Sequence, residues 1–153
     1  MKNPRKMVRG AAWAVVVLGL AGCASTPRGG DVVRELIAAG NRGDLDAVLG
    51  CYTEDVVWAP PWGDGMRGRD AIAAHYRTLF AGNAMQLEVV IEQERVVGDS
   101  AEVRALVRGR VVPRAGGAPV LANDRLVATL RREGGRYRVA HLAWQPVPPD
   151  PGR

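Results

Sequence analysis

The sequence predicts one α+β domain, with three N-terminal helices packed on a strongly curved, mainly antiparallel sheet. Three observations point to it. Apolar residues recur at helical spacing between positions 31 and 80, and four long strand-like runs fill positions 85–145. The 153-residue chain also leaves a length suited to one core once an N-terminal export segment is set aside.

The elements follow in order. From Asp31, a plausible N-cap, Val32, Val33, Leu36 and Ile37 make one apolar helical face, with Gly40 and Gly43 as the stop. Asp44 caps a second short helix with Leu45, Val48, Leu49 and Tyr52 on its apolar side. Val56-Val57-Trp58 reads as a strand, broken by Pro60-Pro61 and a glycine-rich loop to Gly68. Asp70 opens a third helix that carries Ile72, His75, Tyr76, Leu79 and Phe80 on one side. Strands are then expected over Met85–Val97, Ala101–Pro113, Leu121–Arg132 and Arg136–Gln145. They turn at Gly98-Asp99, at a loop over Arg114–Pro119 and at Glu133-Gly134-Gly135. Residues 147–153, rich in proline, form a tail without order.

The first 22 residues are organised for export. Lys2, Arg5, Lys6 and Arg9 precede the apolar run Ala11–Leu20, which is too short to span a bilayer. The run closes on Leu20-Ala21-Gly22-Cys23, which resembles the lipobox of bacterial lipoproteins. That resemblance implies a signal peptide over 1–22 and acylation (palmitate among the acyl groups) of Cys23 as the first mature residue. A tether over 23–30 and a domain over 31–146 would follow. It places the domain on a bilayer through the lipid on Cys23, in the cell envelope and by analogy on the outer membrane facing the periplasm. Four of the 21 basic residues and none of the 16 acidic ones lie in the signal, so the mature chain is almost neutral. Nothing there suggests a nucleic acid partner. Cys51 is left alone among apolar neighbours, and reads as a buried inert thiol.

The order of elements, with the residues filling it, resembles the nuclear transport factor 2-like superfamily in its SnoaL-like branch. The resemblance covers about Val32 to Gln145. It is carried by Asn41-Arg-Gly-Asp-Leu-Asp46, by Glu54-Asp-Val-Val-Trp-Ala-Pro-Pro61 and by Gly68-Arg-Asp-Ala-Ile72, with Trp144 near the end. It implies a cone-shaped fold with a pocket, often a homodimer through the outer face of the sheet, and functions that range from isomerases to non-catalytic binding modules. In ketosteroid isomerase, chemistry of this fold uses an Asp base with Tyr and protonated Asp oxyanion donors. The corresponding positions here hold Pro60, Leu36 and Val127, none of which can take part. Dehydratases of the fold use two histidines with an acid.

The candidate pocket residues are Trp58, Trp62, His75, Tyr76, Arg108, Asp124 and Trp144. Aromatic walls with few polar groups suit an apolar or aromatic ligand. Trp62, in the loop from Pro60 to Gly68, is placed at the rim as a lid contact. His75 is the candidate catalytic acid/base, with Asp124 as its acid. Strand alternation from an inward Trp144 turns Leu142 and Ala140 inward and His141 and Val139 outward, which separates the two histidines. Arg104, Leu106, Arg108 and Arg110 share one strand face, as do Glu88, Glu92 and Glu94 on the partner. Solvated charge on the outer sheet and an anion contact from Arg108 inside the pocket are both open at this point. No phosphate loop, nucleophile elbow or metal-ligand spacing occurs, so no cofactor or metal is expected. The expected function is ligand binding or partner support at the membrane without catalysis. An isomerase or lyase using His75, or a structural dimerisation module, are the alternatives.

Overall fold

A computed structural model describes residues 27–60 and 64–148. The export segment, Cys23, Trp62 and the residues from 149 onward lie outside the described part. Helix α1 runs Gly29–Arg42, α2 Leu45–Gly50 and α3 Arg69–Gly82; strands are β1 Tyr52–Ala59, β2 Met66–Arg67, β3 Asn83–Val97, β4 Ser100–Pro113, β5 Val120–Glu133 and β6 Arg136–Pro146. They form one six-stranded sheet in the order β2-β1-β6-β5-β4-β3. Only the β1–β6 pairing is parallel. The helices cover one face, as the apolar patterning predicts.

The Asn41-Arg-Gly-Asp turn has a physical explanation residue by residue. Asn41 covers the free edge of β3: its side-chain amide donates to the Leu87 carbonyl at 2.7 Å and its oxygen accepts the Leu87 N–H at 2.9 Å. Gly43 ends α1 in the left-handed region (φ 67°), where a side chain would be strained. The Asp44 carboxylate accepts the Ala47 N–H at 3.0 Å and starts α2. Four residues thus close one helix, pin it to the sheet and open the next.

Helix α1 begins earlier than its expected cap. The Asp31 carboxylate accepts the Arg28 N–H at 3.0 Å, so Asp31 lies in the first turn, with Arg28 as N-cap. Gly29 and Gly30, expected in the tether, are the first helical residues and are buried. A Cβ on Gly29 would stand 3.1 Å from Val103 and 3.2 Å from Ala101, so the helix start lies directly on the sheet. Gly40 does not stop the helix; it packs inside it, facing Met85.

Two irregularities in the sheet change which way residues face. The β3–β4 register shifts between Ile91 and Gln93, a bulge at Glu92. Glu94, expected beside Glu88 and Glu92, is therefore turned to the helix face. There its carboxylate accepts the Gly29 N–H at 2.9 Å and satisfies the N-terminus of α1. A second shift lies opposite Thr129 and Leu130, which pair with His141 and Val139 and leave Ala140 as the extra residue. Strict alternation fails there: Val139 is fully buried while Ala140 is only partly so. His141 remains exposed, as expected. At Gly109 (φ 140°) β4 approaches the backbone of β3 so closely that a Cβ would collide with the Gln86 carbonyl. The sheet can bend over the helices at this point because there is no side chain.

The core lies between the helices and the concave face. Val33, Val48, Tyr52, Val56, Val103, Val107, Leu126, Leu130, Val139 and Leu142 are fully buried within it. Strand β1 starts at Tyr52, four residues before the expected Val56, and the short β2 falls in the expected glycine-rich loop. No helix among the described residues is long and apolar enough to cross a membrane.

Candidate functional site

Toward one end of the sheet the helices and strands diverge around a cavity of about 380 Å³. α3 supplies His75, Tyr76 and Leu79 to its wall. β1 and β6 supply Trp58, Trp144 and Pro146. The first residues of β3 and β5 add Met85, Leu87, Val120, Leu121, Ala122 and Asp124, and β4 adds Val111. Five of the expected pocket residues therefore meet here: Trp58, His75, Tyr76, Asp124 and Trp144.

Arg108 does not join them. It sits on the outer, convex face, exposed, with Nε donating to Asn123 Oδ1 at 3.3 Å and Glu88 directly opposite on β3. The alternation along β4 that buries Val103, Ala105 and Val107 sends Arg104, Arg108 and Arg110 outward. An anion contact from Arg108 inside the pocket is thereby ruled out. Arg125 is on the same outer face, where its Nε donates to Glu92 at 3.1 Å.

The wall is aromatic and mainly apolar. The His75 ring stands 4.9 Å from Trp58 at 43° and 5.7 Å from Tyr76, edge-on. Tyr76 also packs on Phe80, and its hydroxyl is 3.4 Å from that of Tyr52 in the core below. Burial holds the His75 imidazole below its ordinary pKa, so it is neutral at pH 7. Burial pushes the Asp124 carboxyl upward. Burial alone moves both: no hydrogen bond or charge among the described residues contributes to either shift. The indole N–H groups of Trp58 and Trp144 are buried without a partner. A buried N–H without an acceptor is costly, on the order of 1–3 kcal/mol. Both N–H groups are shielded by protein atoms, so the two tryptophans offer the cavity their ring surfaces.

The features outside the cavity point to packing. Burial pushes the Cys51 thiol up to about 11, and its Sγ donates to the Ala47 carbonyl at 3.4 Å, so it is no nucleophile at neutral pH. No group of three or more His, Cys, Asp or Glu side chains among the described residues is placed to hold a metal ion.

Sequence reasoning missed the rim. Val120 and Leu121 are 65% and 80% exposed although they open a strand. Their signal was the preceding loop rich in glycine and proline; the apolar pair after it has β4 on one side and no β6 residue on the other.

The comparisons with known proteins agree with this geometry. A ketosteroid isomerase-like protein from Erwinia carotovora atroseptica superposes with a TM-score of 0.70 at 25% identity, over 77% of this chain and 92% of that one. A candidate aromatic ring hydroxylase from Novosphingobium aromaticivorans gives 0.69 at 25% identity, over 78% and 87%. A nuclear transport factor 2-like protein of unknown function from Pseudomonas putida gives 0.60 at 21%, over 79% and 84%, a likeness of fold alone. Among curated proteins none matches significantly. The names span several chemistries, so the fold does not choose between them. The family model for the SnoaL-like domain matches residues 33–140, and the chain belongs to that family, with a nuclear transport factor 2-like α+β fold.

Proposed function

We propose that the chain is an envelope lipoprotein, held on a bacterial membrane through acylated Cys23, whose SnoaL-like domain binds a small, mainly apolar molecule without transforming it. The observation that carries the binding reading is the open cavity itself, where Trp58, His75, Tyr76 and Trp144 meet in a mainly apolar wall. Such a wall suits a ring-bearing, mainly apolar ligand that stacks on the aromatic side chains. The export-like N-terminus with Leu20-Ala21-Gly22-Cys23 supports the anchor. A dimer through the convex sheet face is part of the same proposal.

Native mass spectrometry of residues 24–153 tests the binding reading and reports the oligomeric state in the same spectrum. An adduct that co-purifies with the wild-type domain and falls about fivefold or more in Trp144→Ala supports it, a lost aromatic contact being about 1 kcal/mol. An adduct unaffected by substitutions at Trp58 and Trp144 contradicts it.

A second reading has its own support. His75 and Asp124 line the same cavity, which puts two groups able to carry a proton beside one bound molecule. An isomerase or lyase of this kind would lose its turnover in His75→Ala at unchanged thermal stability.

A further inference from the structure

We infer that the cavity opens away from the membrane, and that the opposite end of the sheet, at the β3–β4 hairpin, is the lipid-facing surface. The inference rests on acylation of Cys23 as proposed above and adds an orientation to it.

The start of α1 fixes which end is tethered. Gly29 packs on Ala101 and Val103 and donates to Glu94. It therefore lies beside the turn at Gly98-Asp99. The β5–β6 turn at Gly134-Gly135 is at the same end, since Ser100 pairs with Arg131 and the Arg132 N–H donates to the Asp99 carbonyl. α1 then runs along β3 toward the cavity, with Gly40 on Met85 and Asn41 on Leu87. The cavity rim, Val120 and Leu121, pairs with Val111 and Arg110 at the far end of β4.

Lengths decide the orientation. Val103 and Val111 are eight residues apart on one strand, about 26 Å at 3.3 Å per residue. Because α1 begins at Gly29, only five residues separate Cys23 from the helix, six steps with a reach of about 20–22 Å fully extended. A rim pressed on the bilayer would lift Gly29 farther from the surface than this tether can follow. With the hairpin end down, no such stretch is needed.

The hairpin end also carries apolar side chains that no other part of the described chain covers. Val96 and Val97 are 53% and 62% exposed just before the turn, next to Arg95. An exposed apolar pair at a turn, with Arg95 opposite Glu102 beside it, suits the boundary between lipid headgroups and acyl chains. The bilayer holding the lipid on Cys23 is the one partner that is always within reach of this surface. A ligand would then enter the cavity from the aqueous side.

The test uses full-length acylated protein purified from membranes, with its acyl mass confirmed, in phosphatidylethanolamine–phosphatidylglycerol vesicles. Val97→Cys and Leu121→Cys each carry a polarity-sensitive fluorophore; Cys51, buried with a raised pKa, stays unlabelled. Both labelled positions are exposed, so neither variant disturbs the core. Spin-labelled lipid is expected to quench the probe at position 97 at least threefold more than the probe at 121. Equal quenching, or stronger quenching at 121, on an acylated protein overturns the orientation and leaves the anchor standing. A protein that reaches the membrane fraction without an acyl mass on Cys23 removes the anchor, and the orientation with it.

Discussion

The two ends of the concave sheet face are built differently. At the hairpin end Val103, Leu130 and Val139 are fully buried, and the start of α1 lies on Val103 and Ala101, with glycine where a side chain would crowd them. At the other end Leu87 is buried but Met85, Ala122 and Trp144 are only partly so, and Leu121 is almost free. The same helices and strands therefore close over one end and leave space at the other. Closing a core is the default for apolar side chains. The aromatic wall left open at the other end is the surface that the proposed ligand would cover.

That contrast can be broken from either side. The largest effect is expected at the closed end: Leu130→Ala should lower stability by about 2–5 kcal/mol, the range for a large-to-small change in a filled core. Urea denaturation checks it. Leu121→Ser, at the rim, should stay within about 0.5 kcal/mol in the same assay, because its side chain is already in water. Similar losses at the two positions would mean that the ends do not differ.

A smaller effect comes from pH. The His75 pKa is lowered on folding, so as pH falls from 7 the unfolded chain begins to bind a proton near 6.5 before the folded one does. Stability tied to His75 is therefore complete above about pH 6.5 and declines as pH falls through that value. The wild type should lose more of its urea midpoint between pH 7 and pH 5.5 than His75→Gln does. Equal losses would place His75 in water. Asp124 has the opposite sign and a lower window: its raised pKa costs stability as pH rises above its unfolded value of 3.8.

Much of the fold was legible because its signals are local. The apolar stripes of α1 and α3, the Asp44 cap and the glycine turns at 98 and 134 all declare themselves within a few residues. The bulges at Glu92 and Ala140 do not. A single inserted residue has no compositional mark, and alternation counted across it puts Glu94 and Val139 on the wrong faces. The site divides in the same way. Trp58, His75, Tyr76 and Trp144 were readable as aromatics on inward faces, and Asp124 as a polar residue among them. Arg108 was ambiguous because which face of β4 is concave depends on the sheet's curvature, and that curvature turns on Gly109 fitting against Gln86. Met85, Val111 and Ala122 looked like ordinary strand residues, and only the divergence of the sheet from α3 makes them a wall.

The central claim is that the open end is a binding site, and filling it tests this most directly. Ala122→Phe places a ring in the cavity from a half-buried wall position. Titration with 2-acetylnaphthalene, an aromatic ketone with one acceptor, can be followed by the fluorescence of Trp58 and Trp144. The wild type is expected to saturate at one ligand per chain, and Ala122→Phe to bind at least tenfold more weakly with an unchanged or higher melting temperature. Equal binding by the filled variant, or no saturable binding by the wild type, would contradict the account.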